Sequence, residues 1–188
     1  MELGITRDEA MGLVKGQLHS ESLFKHCLAT EAIMRVLAER LGEDVEAWGL
    51  AGLLHDLDYN ETKDRMEEHG RWTERILKEK GVHTEVIQAI LAHNAENLGI
   101  ERTSAFDFAL TCAETITGMV MATALVYPDK RLASVKPSSI VKRMKQKEFA
   151  RAVNRDHIRL CERIGIPLEE FCELSLSALR EIHEDLGL

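Results

Sequence analysis

The stretch "AFDFALTCAETITGMVMATALVYP", Ala105 to Pro128, constrains the fold more than any other part of the chain. Ser104 is placed to cap it and Pro128 to close it. A helix apolar on most sides must be enclosed by other elements, and the rest of the sequence offers helices for that purpose. Thr6 and Glu9 fit a capping box. In "ESLFKHCLATEAIMRVLAERLG", Leu23, Cys27, Ile33, Leu37 and Leu41 follow one helical face, and Gly42 is a stop. Asp44 can cap the helix that runs through "AWGLAGLL". The charged "ETKDRMEE" predicts a loop or short turn, and "HGRWTERILKEKG" a helix ended by Gly81. Thr84 is the expected cap of "EVIQAILAHN". Beyond Pro128 three or four shorter helices are expected, the last opened by Pro167. No run alternates at period two, so the fold class is all-α.

Composition narrows the function classes. The 188 residues suit one domain. The formal charge of −8 disfavours non-specific binding to nucleic acid or to an anionic membrane. Cys27, Cys112, Cys161 and Cys172 form no CxxC pair, so they read as small buried residues in a reducing compartment. "MELGITRDEAMGL" lacks the pattern of a secretory signal, and a cytoplasmic location is the expectation.

Six polar residues stand out against the apolar helices. "GLLHDLDYN" ends a greasy run with His55 and Asp56 side by side, which alone is equally a helix cap. His26 lies on the preceding helix, His69 in "EEHG" and His93 at a later helix end. Glu114 sits inside the most apolar helix, where a carboxylate must be paired, protonated or bound to a cation. Imidazole and carboxylate donors without thiolates suit a divalent Mn, Fe, Co, Ni or Zn ion with positions left for water and substrate.

His26, His55-Asp56, His69, His93 and Glu114, in that order, resemble the ordered pattern of the HD-domain metal-dependent phosphohydrolase superfamily. The resemblance covers about Ser20 to Val126 and extends loosely into "VYPDKRLASVKPSSIVKRMKQKEFARAVNRDHI", which is similar to the tail of a small subfamily of predicted hydrolases. It implies a single HD-type helical bundle over 1–188, with a metal-site core at about 20–126 and additional C-terminal helices at about 129–188. It further implies one ion on His26, His55, Asp56 and Glu114, and a second on Asp56, His69 and His93. Aspartate is usual where this chain has Glu114; the Thr-Gly that follows it in the subfamily matches Thr117-Gly118. The GYP triplet and the HDIGK continuation of cyclic dinucleotide phosphodiesterases are missing.

The expected activity is hydrolysis of a small phosphorylated metabolite or nucleotide, with Asp56 in a catalytic role and Asp58 a candidate proton shuttle. A di-iron oxygenase on the same fold, and a catalytically weak metal- or ligand-binding protein, are the alternatives. The acidic chain turns basic from Lys130 to Arg151, and Lys136 and Arg143 are candidate contacts for an anionic phosphorylated substrate. His19, His83, His157 and His183 read as surface or packing residues. Neither the metal nor the oligomeric state is fixed by sequence, and an oligomer is compatible with it.

Overall fold

Cap residues set the first boundaries. In the computed structural model, which describes residues 2–188, Thr6 opens α1 (Arg7–Gln17). Its hydroxyl accepts from the Glu9 amide at 3.2 Å, and the Glu9 carboxylate accepts from the Thr6 N–H at 2.8 Å. Ser20 caps α2 (Glu21–Leu41), which stops at Gly42 with φ of 74°. Asp44 accepts from the Ala47 amide at 3.0 Å and opens α3 (Val45–Leu54). The charged stretch holds the single-turn α4 (Tyr59–Thr62), followed by α5 (Arg71–Glu79), α6 (Thr84–His93) and α7 (Ala95–Leu98). Thr84 is not the cap of α6. His83 takes that position, its Nδ1 accepting from the Glu85 amide at 3.3 Å, and Thr84 becomes the first helical residue.

The apolar stretch forms α8 (Ala105–Leu125), opened by Ser104 and its capping partner Asp107. The short helices expected beyond Pro128 are α9 (Pro137–Met144), α10 (Arg155–Ile158), α11 (Leu168–Glu181) and α12 (His183–Leu186). Two 3₁₀ turns, Leu132–Ser134 and Arg159–Ile164, join them. No strand occurs among the described residues, so the all-α expectation holds.

α8 is central, as its composition requires. It packs against α2, α3, α6, α9, α10, α11 and the Arg159–Ile164 turn. Among the described residues it is the one helix long and apolar enough to cross a membrane, but most of it is buried inside the bundle. Its carboxylates are handled individually: Asp107 caps the helix, and Glu114 faces a cavity. All four cysteines are buried and unpaired.

The closest helix pair is α2 on α3, and glycine makes the approach possible. A Cβ built on Gly52 would lie 2.9 Å from the backbone N and Cα of Glu31 and from the Thr30 carbonyl carbon. At Gly49 the nearest neighbour is instead the Arg35 side chain, at 2.8 Å. Arg35 already bridges the helices, pairing with buried Glu31 at 3.1 Å and with Glu46 at 2.7 Å. A side chain can swing aside, whereas helix backbone cannot. Gly52→Ala should therefore destabilise the fold by about 3 kcal/mol, against about 1 kcal/mol for Gly49→Ala. Urea unfolding midpoints of the two variants check the order.

Candidate metal centre

His55 caps the C-terminal end of α3, and Asp56 follows it. The His55 ring donates from Nδ1 to the Gly52 carbonyl at 2.8 Å, a carbonyl in the last turn of its own helix. His93 ends α6 and donates from Nδ1 to the Ile90 carbonyl in the same way. His26 lies well inside α2, where carbonyls already serve the helix. Its Nδ1 donates to Thr117 Oγ1 on α8 at 2.9 Å, because the Thr117 hydroxyl gives its own hydrogen to the Glu114 carbonyl at 2.6 Å. His69 comes from the loop before α5, and its Nδ1 donates to Asp58 Oδ1 at 2.8 Å.

These bonds fix the tautomers. With each hydrogen on Nδ1, the Nε2 lone pairs turn inward. His26 Nε2 and His55 Nε2 stand 3.1 Å apart, and His69 Nε2 and His93 Nε2 stand 2.9 Å apart. The two lone pairs of His26 and His55 repel at such a distance unless a positive charge sits between them, whereas His69 and His93 can share a proton on His69 Nε2 when no ion is there. Asp56 addresses both pairs. Its Oδ2 lies 3.7 Å from His26 Nε2 and 3.5 Å from His55 Nε2, and its Oδ1 lies 3.2 Å from His69 Nε2 and 3.8 Å from His93 Nε2. Two donor groups result, His26–His55–Asp56 and Asp56–His69–His93, with one carboxylate common to both. The donor set is compatible with borderline divalent cations.

The electrostatics agree with this reading. Burial opposes ionisation of Asp56, but His55, His69 and His26 outweigh it and hold its carboxyl well below the usual range. Burial and the neighbouring His55 lower His26 to about 4, and burial with His69 and His55 lowers His93 to about 3. Those two rings stay neutral at physiological pH and keep their lone pairs. His69 is the exception. Burial works against its charge, yet hydrogen bonds to Asp56 and Asp58 raise it to about 9.

A model of the HD domain matches residues 23–121. The chain belongs to the HD domain family. The match spans every donor described above, and the resemblance read from the sequence is thereby established. No curated protein matches the chain.

Other expected site residues fall outside the two donor groups. Glu114 lines the same cavity as the histidines but is not in either donor group; its carboxylate accepts from the adjacent Thr115 hydroxyl. Burial lifts its carboxyl to about 8. Asp58, expected as a proton shuttle, is fully buried, and both of its oxygens are engaged. Besides His69, it accepts from the backbone N–H of Gly70 at 2.9 Å, Trp72 at 3.2 Å and Thr73 at 3.0 Å. It closes the amino end of α5 and aims His69, which leaves it no oxygen for proton transfer. Lys136 and Arg143 do not line the cavity. Lys136 is exposed at the start of α9, and the Arg143 guanidinium lies 5.0 Å from the Phe149 ring and 6.0 Å from the Tyr127 ring.

Two groups escaped the sequence reading. Thr117 orients His26, and only the Thr-Gly that follows the carboxylate hinted at it. His157, read as a surface or packing residue, lines the cavity and faces Glu96 at 3.2 Å. Nothing in "NRDHI" marks it, because α10 reaches the cavity only through tertiary packing on α8.

Asp58→Asn should weaken metal binding by about 10–100-fold, since it removes the charge that orients His69. Chelator competition on the purified variant measures this. A pH dependence follows from His69 itself. Below about 9 the free ring carries a proton that a metal must displace, so binding near pH 7 should release about one proton. Apparent affinity should rise with pH and level off above that value. Calorimetry in buffers of different ionisation enthalpy reads the released proton directly.

Proposed function

We propose that this HD domain is a metal-dependent phosphohydrolase acting on a small phosphate ester. The observation that carries the reading is the pair of inward-facing Nε2 couples served by opposite oxygens of Asp56. Family membership supports hydrolysis as the chemistry. A cavity of about 770 Å³ opens over the donors and has room for a metabolite-sized substrate.

Divalent ions bound there would lower the pKa of coordinated water towards neutrality and polarise a phosphoryl oxygen. His26, His55 and Asp56 would hold one ion, and Asp56, His69 and His93 the other. Asp58 and Thr117 act through the histidines they orient, not on substrate. Glu114 stands in the cavity wall as the α8 carboxylate of the family pattern. Its longer side chain gives it a choice between Thr115 and the ions.

The shared carboxylate also suits a di-iron centre that uses oxygen, which remains the second reading. The test separates them. Protein purified without a histidine tag is analysed for metal, then loaded anaerobically with Mn, Co, Ni or Fe and offered a phosphate-ester panel. Phosphate release without oxygen is expected. Turnover only with iron and oxygen would transfer the reading to the oxygenase, and no release with any metal would leave a binding protein. Asp56→Ala should lose most bound metal, and Glu114→Gln should lose less; unchanged metal content in Asp56→Ala would overturn the site.

A further inference from the structure

The cavity over the metal donors carries a charge pattern that bears on its substrate, and this inference rests on the hydrolase reading above. Among the described residues, no lysine or arginine lines the cavity or the smaller opening that continues it past Val153 and Asn154. Its acidic side chains are Asp56, Glu96 and Glu114. Outside the donor groups, His157 is the one basic side chain in the lining, and Glu96 already faces it at 3.2 Å. Glu96 in turn is clasped by Arg102 at 2.6 and 2.8 Å, and Arg102 is turned away to the His93 carbonyl and Thr111. A second anionic group on a substrate would find no unengaged cation in this lining.

Part of the lining is apolar. Leu23 of α2 and Met121, Ala122 and Leu125 of α8 form it. Leu125 is 52% exposed and its neighbour Val126 is 55% exposed, the exposed large hydrophobic side chains among the described residues. Most of α8 is buried, whereas its C-terminal end leaves apolar surface open beside the cavity.

We infer that the substrate carries a single phosphate on an apolar body that lies along the Leu23–Met121–Leu125 wall. Bound ions would answer the charge of one phosphate, and the remaining contacts are dispersion and desolvation. Di- and triphosphates, and esters with a carboxylate on the body, are disfavoured because their second anionic group would meet Glu96 and no unengaged cation.

Non-hydrolysable probes test this without relying on turnover. Mn-loaded full-length protein is titrated with methyl-, butyl- and hexylphosphonate and with 3-phosphonopropionate, which matches the butyl compound in size but adds a carboxylate. Affinity should rise roughly threefold per added methylene, and 3-phosphonopropionate should bind at least about tenfold more weakly than butylphosphonate. Leu125→Lys, a change at a half-exposed helix end, should flatten the chain-length series and improve binding of the carboxylate compound. A flat series in the unmodified protein, equal or tighter binding of 3-phosphonopropionate, or no binding of any probe overturns the inference. The two readings fail differently. A rising series with no hydrolysis of hexyl phosphate removes the hydrolase reading alone, while hydrolysis of polyanionic esters with a flat series removes this one alone.

Discussion

The direction of four imidazole hydrogens organises this protein. Each Nδ1–H is given to an acceptor of the protein's own, so four Nε2 atoms face one carboxylate. Where each acceptor comes from follows from helix chemistry. A carbonyl in the last turn of a helix runs out of intrahelical amides, so His55 and His93, at helix ends, find theirs three residues back. His26 sits mid-helix and must borrow a hydroxyl from α8. His69 belongs to no helix and needs a carboxylate, Asp58, which is itself fixed by the amides that open α5. Position along the secondary structure thus dictates the kind of partner each ring requires.

Packing then supplies the distances. His26 and His55 meet only because α2 and α3 nearly touch, and Gly52 permits that contact while its carbonyl orients His55. One residue serves steric and electrostatic needs at once. Asp58 has a similar double use: its charge answers the partial positive end of α5 and the ring of His69 together. Buried carboxylates are tolerated here because each has a stated counterpart. Glu31 has Arg7 and Arg35, Asp107 has the amides of its own helix start, and Asp56 has four rings.

The helices were legible because their signals are local. Caps at Thr6, Asp44 and Ser104, the stop at Gly42 and the enclosed character of α8 depend on a few neighbouring residues, and the structure has them all. Thr84 failed because a histidine nitrogen can accept as a cap does, a use of His83 that composition does not reveal. His26, His55, Asp56, His69 and His93 were legible through the ordered spacing of the family and not through any local rule. Asp58 and His157 were misread for one reason. Their roles depend on what approaches from elsewhere in the chain: the amides of Gly70 to Thr73 for Asp58, and Glu96 for His157.

The basic stretch shows how a charge count misleads when backbone geometry is hidden. Between α9 and α10 the chain has little regular structure, and Ala150 adopts φ of 45°. Its carbonyls need donors from outside the local ladder. Arg155 provides them, bonding the carbonyls of Gln146 at 3.2 Å, Ala150 at 2.7 Å and Val153 at 2.6 Å, with Phe149 as a further partner. The Arg143 guanidinium lies over the Phe149 ring. A planar fork with several donors can gather carbonyls that no single lysine could. So held, the segment brings Val153 against α8, where a Cβ added at Gly118 would come within 3.1 Å of it, and carries Asn154 and His157 to the cavity. These arginines fasten the segment that walls the smaller opening beside the cavity. A locally basic sequence thus borders a cavity with no lysine or arginine in its lining, whose acidic side chains are Asp56, Glu96 and Glu114.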